Sequence, residues 1–122
     1  MIMAGLTKEQ EKVKQILITH VIKGECVVYT DLVKEAKLDL DMSNPYHRTL
    51  LGEILGGISV CEHSNGRPLL SSVVVLKESL MPSAGFYKLA EELGHGNWRK
   101  RKDAFWGIEE MKRTFAFWQN AN

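Results

Sequence analysis

Cysteine and proline are both scarce in this chain, with two and three residues respectively. Two thiols, Cys26 and Cys61, cannot build a disulfide framework. Both lie in apolar stretches where a free cysteine behaves as a small hydrophobe. A reducing, cytoplasmic setting is the simpler expectation. No uncharged apolar run reaches the roughly 20 residues that cross a bilayer. The opening MIMAGLTKEQ has neither a basic region nor an apolar core of signal-sequence length. We therefore expect no membrane partner. Charge of one sign is also lacking: 16 Lys and Arg stand against 15 Asp and Glu, for a net charge of +1. The whole molecule is not a polycation drawn to nucleic acid.

Motifs of cofactor chemistry are missing too. The chain carries no P-loop and no dinucleotide-binding fingerprint. Cys61 and His63 find no second ligand pair at zinc spacing among His20, His47 and His95. We expect no cofactor and no metal. GRPLLSS, around Ser71 and Ser72, lacks the frame of a nucleophile elbow. Internal repeats, linkers and low-complexity segments are absent, and 122 residues suit one domain over 1–122.

What remains is a series of well-punctuated apolar segments. Thr7 and Gln10 form a capping-box pattern before Val13, Ile16, Leu17 and Val21, which predicts a helix over 7–23 ending near Gly24. Residues 26–29, CVVY, suit a short strand. Thr30 and Asp31 cap a helix over 30–37. Asn44 and Pro45 supply an N-cap and a first-turn proline for a helix over 45–60. Leu50, Leu51, Ile54, Leu55 and Ile58 stripe one side of it. Gly56-Gly57 interrupts that helix at a cost of about 1 kcal/mol per glycine, and close approach of another backbone is the expected compensation. Asn65-Gly66 marks a turn, and residues 69–76 read as a strand covered on both faces. Helices over 86–93 and 98–119 complete the chain, the last holding all three tryptophans. The predicted fold is α+β: a mainly helical, winged helix-turn-helix-like domain whose strand 26–29 pairs with strand 69–76.

Three groups of residues could carry function. In a helix-turn-helix the second helix enters the major groove and its first turn reaches base edges. Those residues are Asn44, Tyr46, His47, Arg48 and Thr49, although His47 and Arg48 equally suit a solvated helix face. Charge is uneven along the chain: through His63, seven basic residues face nine acidic ones, and from Ser64 the count is nine against six. Arg99, Lys100, Arg101 and Lys102, flanked by Trp98 and Trp106, form the strongest electrostatic footprint for nucleic acid. The same run also suits an exposed helix face above tryptophans packed in the core. Trp106 and Phe117 fall off the helical stripe and suit a protein partner or homodimer surface. Glu62, His63, Arg67 and Ser71 are the one cluster with catalytic flavour, suited to a small hydrolase or nuclease.

Val28-Tyr29-Thr30-Asp31-Leu32 and His47-Arg48-Thr49-Leu50-Leu51-Gly52 together resemble the DNA-binding half of alkylguanine-DNA alkyltransferases and alkyltransferase-like proteins. In that family a strand ends in a Tyr that pushes on a DNA phosphate. The next helix begins with an Arg that replaces an extruded base. The resemblance implies those roles for Tyr29 and Arg48. It covers about a third of the chain and stops short of the reactive strand. Where the family has Pro-Cys-His-Arg or Pro-Trp-His-Arg, this chain has Pro68-Leu69-Leu70-Ser71, so alkyl transfer is not implied. The strand GRPLL…VVV followed by PSAGFYKLAEELG also resembles a pattern in small bacterial proteins that carries no assigned activity. The function expected from all this is non-enzymatic binding of nucleic acid, duplex DNA in the first instance.

Overall fold

A computed structural model of the protein describes residues 5–120. Met1–Ala4, part of the opening segment discussed above, lie outside the described residues. The first helix, α1 (Lys8–Ile22), starts as its sequence dictates. Gln10 N–H donates to Thr7 Oγ1 at 3.0 Å and Thr7 N–H to Gln10 Oε1 at 3.0 Å. That reciprocal pair satisfies donors a helix start would otherwise leave open. Val13, Leu17 and Val21 form its buried stripe, and Gly24 leaves the helix at φ 77°.

Strand β1 (Val27–Val28) is shorter than the expected 26–29 and leads directly into α2 (Tyr29–Glu35), which starts one residue early. Val28 takes the cap position without a side-chain bond, and Thr30 and Asp31 lie in the first turn instead of capping it. A loop ties itself together before the next helix: Ser43 N–H and Oγ both donate to Asp41 Oδ1, at 2.9 and 2.7 Å. Helix α3 (Pro45–Ser64) then opens with Asn44 Oδ1 accepting Tyr46 N–H at 2.9 Å. It runs four residues beyond the expected end, as far as Asn65 and Gly66. Leu51, Leu55, Ile58 and Ser59 face inward.

The segment 69–76 corrects the sequence reading. Leu70–Val73 is a buried 3-10 turn, and only Val74–Val75 forms a strand, β2. β1 and β2 pair parallel, Val27 with Val74 and Val28 with Val75, so the expected strand pairing is present in a shorter form. The physical reason lies in the serines. Ser71 N–H donates to Ser59 Oγ at 3.1 Å, and the Ser59 and Ser71 hydroxyls are 2.6 Å apart. Ser72 Oγ lies 3.0 Å from Thr114 Oγ1, and Leu69 N–H donates to Glu110 Oε2 at 2.7 Å. Side chains from the flanking helices thus do for this buried backbone what a partner strand does elsewhere.

After a loop, α4 (Ala84–Glu92) buries Phe86, Tyr87 and Ala90. The single terminal helix expected over 98–119 is two helices, α5 (Trp98–Asp103) and α6 (Trp106–Asn120). Phe105 breaks them apart at φ 56°, in left-handed backbone that L-residues with large side chains rarely adopt. Helices α1, α3 and α6 enclose the buried turn, and α5 packs on α4. The main core gathers Leu17, Leu32, Leu51, Ile58, Leu70 and Val73, while a smaller one joins Leu69 to α4. Both cysteines are free thiols, as expected, and Cys26 contacts Met111 Sδ at 3.3 Å. Among the described residues no helix is long and apolar enough to cross a membrane.

Candidate functional site

A cleft of about 920 Å³ opens between α3, the β1–α2 junction, the end of β2 and α4. Its volume sits at the upper end of the range for small-molecule sites. One wall is the side of α3 that carries Arg48, Thr49, Gly52, Glu53 and Gly56. The opposite wall comes from Phe86 and Leu89 of α4, with Leu76, Lys77 and Glu78 at the rim. Val28, Tyr29 and Thr30 close one end, and Ser71 lies at the bottom.

The glycines of α3 divide in an unexpected way. A side chain at Gly57 would overlap the amide of Gln10, so that position is held by close packing of α1. Gly52 and Gly56, a helical turn apart, face the cleft. A Cβ at Gly52 would meet nothing within 4 Å, and one at Gly56 would meet only Leu89 Cδ2 at 3.9 Å. Here the expected close approach of another backbone is missing. Each glycine still costs the helix about 1 kcal/mol relative to Ala. What the two positions provide is depth.

Most polar groups in the cleft are already engaged within the protein. Tyr29 Oη donates to Ser83 Oγ at 3.1 Å and accepts Ser83 N–H at 3.4 Å. Burial raises the Tyr29 pKa and outweighs those two bonds, which pull it down. Thr49 Oγ1 donates to Pro45 carbonyl at 3.2 Å, and Ser71 is taken by Ser59. Arg48 Nη1 donates to Met42 carbonyl at 3.0 Å, which holds the guanidinium at the cleft wall, and among the described residues its other N–H groups are unspent. His47 Nδ1 accepts Asp41 N–H at 2.8 Å, holding the preceding loop against α3. Tyr46 projects outward, 67% exposed, and Asn44 is spent on the cap.

The basic run stands elsewhere. Arg99, Lys100, Arg101 and Lys102 are all exposed on α5, which packs against α4. Asn97 Oδ1 caps α5 by accepting Arg99 and Lys100 N–H, both at 3.1 Å. Arg99 and Lys88 each lie 5.1 Å from the Trp98 ring centroid, so cations already cover that indole. Arg101 Nε donates to His95 carbonyl at 2.8 Å. Trp106 stacks on Phe86 at 6.0 Å, and Phe117 meets Trp118 edge to face at 5.1 Å. Both off-stripe aromatics are half-buried.

Glu62, His63, Arg67 and Ser71 do not converge. Glu62 is 0% exposed and its Oε2 accepts Arg67 Nε at 2.5 Å. His63 is exposed and meets His95 edge to face at 5.4 Å. Of the four, only Ser71 lines the main cleft. Among the described residues no group of three His, Cys, Asp or Glu is placed to hold a metal ion.

Sequence reasoning singled out Tyr29 and Arg48, and the structure places both on this cleft. It did not find the apolar wall formed by Met42, Phe86 and Leu89. The signal that was available is the Gly52-x-x-x-Gly56 spacing, which a helix with no close partner does not need. The chain matches no family model, no curated protein and no solved structure.

Proposed function

We propose that the protein binds nucleic acid, duplex DNA in the first instance, through the exposed first turn of α3 in a winged-helix-like arrangement. The observation that carries this reading is the placement of Arg48. Its guanidinium is fixed by Met42 carbonyl beside an outward-pointing Tyr46, at a helix start where N–H groups and the helix dipole favour phosphate. Tyr29 lies on the same cleft, with its hydroxyl engaged by Ser83. The run Arg99–Lys102 supplies a second, separate attraction for phosphate. Catalysis is not part of the proposal, because Glu62 is spent on Arg67 while His63 stands exposed beside His95.

Fluorescence anisotropy of labelled duplex and single-stranded DNA, titrated at two salt concentrations, tests the proposal. Binding should weaken steeply with salt. Arg48→Ala should weaken it by about 1–3 kcal/mol and Arg101→Ala by less. Absence of binding at low salt overturns it.

One observation favours a second reading, a surface for a protein partner. Leu80 and Phe105 are 64% and 60% exposed, both in left-handed backbone. Leu76, Met81, Pro82 and Phe105 line a hollow of about 300 Å³ beside them. Sedimentation that stays monomeric over a wide concentration range rules out a homodimer through this patch.

A further inference from the structure

We infer that the cleft along α3 is a binding site for a small, largely apolar molecule carrying one anionic group. Its interior is formed by Val28, Met42, Leu51, Leu55, Phe86 and Leu89. Of the hydroxyls that line it, those of Tyr29, Ser83, Thr49 and Ser71 already have partners in the protein, and the exposed Thr30 has none among the described residues. The free polar groups, Thr30 and the charged Arg48, Glu53, Lys77 and Glu78, are all exposed, so a polar ligand such as a sugar would find little in the apolar interior to replace its water. An apolar body loses little on entering.

Close approach to the helix follows from Gly52. It lines the cleft, and among the described residues a Cβ there would meet nothing within 4 Å, whereas at Gly56 the Leu89 side chain already lies in contact range. The gap at Gly52 admits a ligand to van der Waals contact with the helix, which any larger residue would prevent.

The anion follows from Arg48. Four charged residues, Arg48, Glu53, Lys77 and Glu78, line the cleft, and none joins an ion pair among the described residues. Of the four, Arg48 alone is held by a side-chain hydrogen bond, to Met42 carbonyl. A cation already fixed in place loses less freedom on pairing than a mobile one. Arg48 is thus the group best prepared to meet a carboxylate or sulfonate.

This site does not depend on the nucleic-acid reading, and the two fail separately because its test contains no nucleic acid. The probe is anilinonaphthalenesulfonate, an apolar aromatic sulfonate, titrated into the full-length native protein and followed by fluorescence. Its uncharged counterpart, phenylnaphthylamine, is titrated in parallel. Saturable binding at one site is expected. Gly52→Leu and Gly56→Leu should each weaken both probes by at least about tenfold. Leucine is the better helix former, so Gly52→Leu should also raise the melting temperature, which separates a filled cleft from an unfolded protein. Arg48→Gln should weaken the sulfonate by about tenfold and leave the neutral probe within about twofold. No binding, non-saturable binding, or equal affinity in the folded leucine variants would overturn the site. Equal loss of both probes in Arg48→Gln would overturn the role of the anion.

Discussion

The hydroxyl of Tyr87 accepts the backbone N–H of Gly107 at 3.2 Å, and through this bond α4 caps the start of α6. An N–H in the first turn of a helix has no partner within the helix, so a buried acceptor there stabilises the restart after Phe105. A Cβ at position 107 would overlap that hydroxyl. Gly107→Ala should therefore destabilise by about 1–3 kcal/mol, although alanine is the better helix former. Tyr87→Phe should cost about 1 kcal/mol. Urea denaturation of the double variant should show a loss smaller than the sum, because removing the hydroxyl opens space for the methyl.

Two exchanges should stabilise the protein. Lys37 follows α2 at φ 53°, with its N–H on Lys34 carbonyl at 3.1 Å and Leu38 N–H on Val33 carbonyl at 3.0 Å. This is the left-handed helix end that glycine fits best. Lys37→Gly should add about 1 kcal/mol by relieving the backbone. Gly52→Ala should add a similar amount, about 1 kcal/mol, because the new methyl meets open space inside a helix. A melting temperature that falls in either variant contradicts the corresponding account.

Local chemistry in the sequence was enough to place the starts of α1 and α3, but not that of α2, where neither Thr30 nor Asp31 makes the expected cap. Thr7 with Gln10, and Asn44 with Pro45, each cap a helix where expected, since those bonds are made within four residues. Long-range competition was not legible. Residues 69–76 have the composition of a buried strand, but Ser71 and Ser72 meet Ser59 and Thr114 from helices distant in sequence. The break at Phe105 was hidden for another reason. No proline announces it, the nearby Gly107 falls after it within the first turn of α6, and Trp98, Phe105 and Ile108 keep helical spacing across it. The cleft was half legible: Arg48 and the glycine spacing could be read, but the wall contributed by α4 depends on tertiary packing.

Glu62 is fully buried, with Oε2 accepting from Arg67 and Oε1 3.8 Å from Lys14 Nζ. Arg67 also lies 5.9 Å from the Trp118 ring centroid. Removing Arg67 takes away the hydrogen-bonded partner of the buried carboxylate and leaves it only the more distant Lys14. Arg67→Ala should cost about 3–5 kcal/mol, whereas replacing both residues with methionine should cost less than that single change. Urea midpoints of the two variants decide the point. A double variant less stable than Arg67→Ala would mean that the pair contributes net stability.

His95 gives the fold a directional response to pH. It lies between His63 and Trp106, at 5.4 and 5.1 Å by ring centroids, and its Nε2 is buried without a hydrogen-bond partner among the described residues. Burial lowers its pKa from the ordinary 6.5, outweighing the Glu110 carboxylate, which raises it; His63, Arg113 and Arg101 lower it further. Below pH 6.5 the unfolded chain therefore takes up a proton on this ring more readily than the folded protein does. The stability that His95 contributes is complete above the unfolded value and is lost as pH falls through it toward the depressed folded value. His95→Phe keeps an aromatic ring against Trp106 and removes the titration. Between about pH 7.5 and about pH 5.5 the urea midpoint of the native protein should fall further than that of His95→Phe. Equal falls would show that protonation of His95 does not oppose folding.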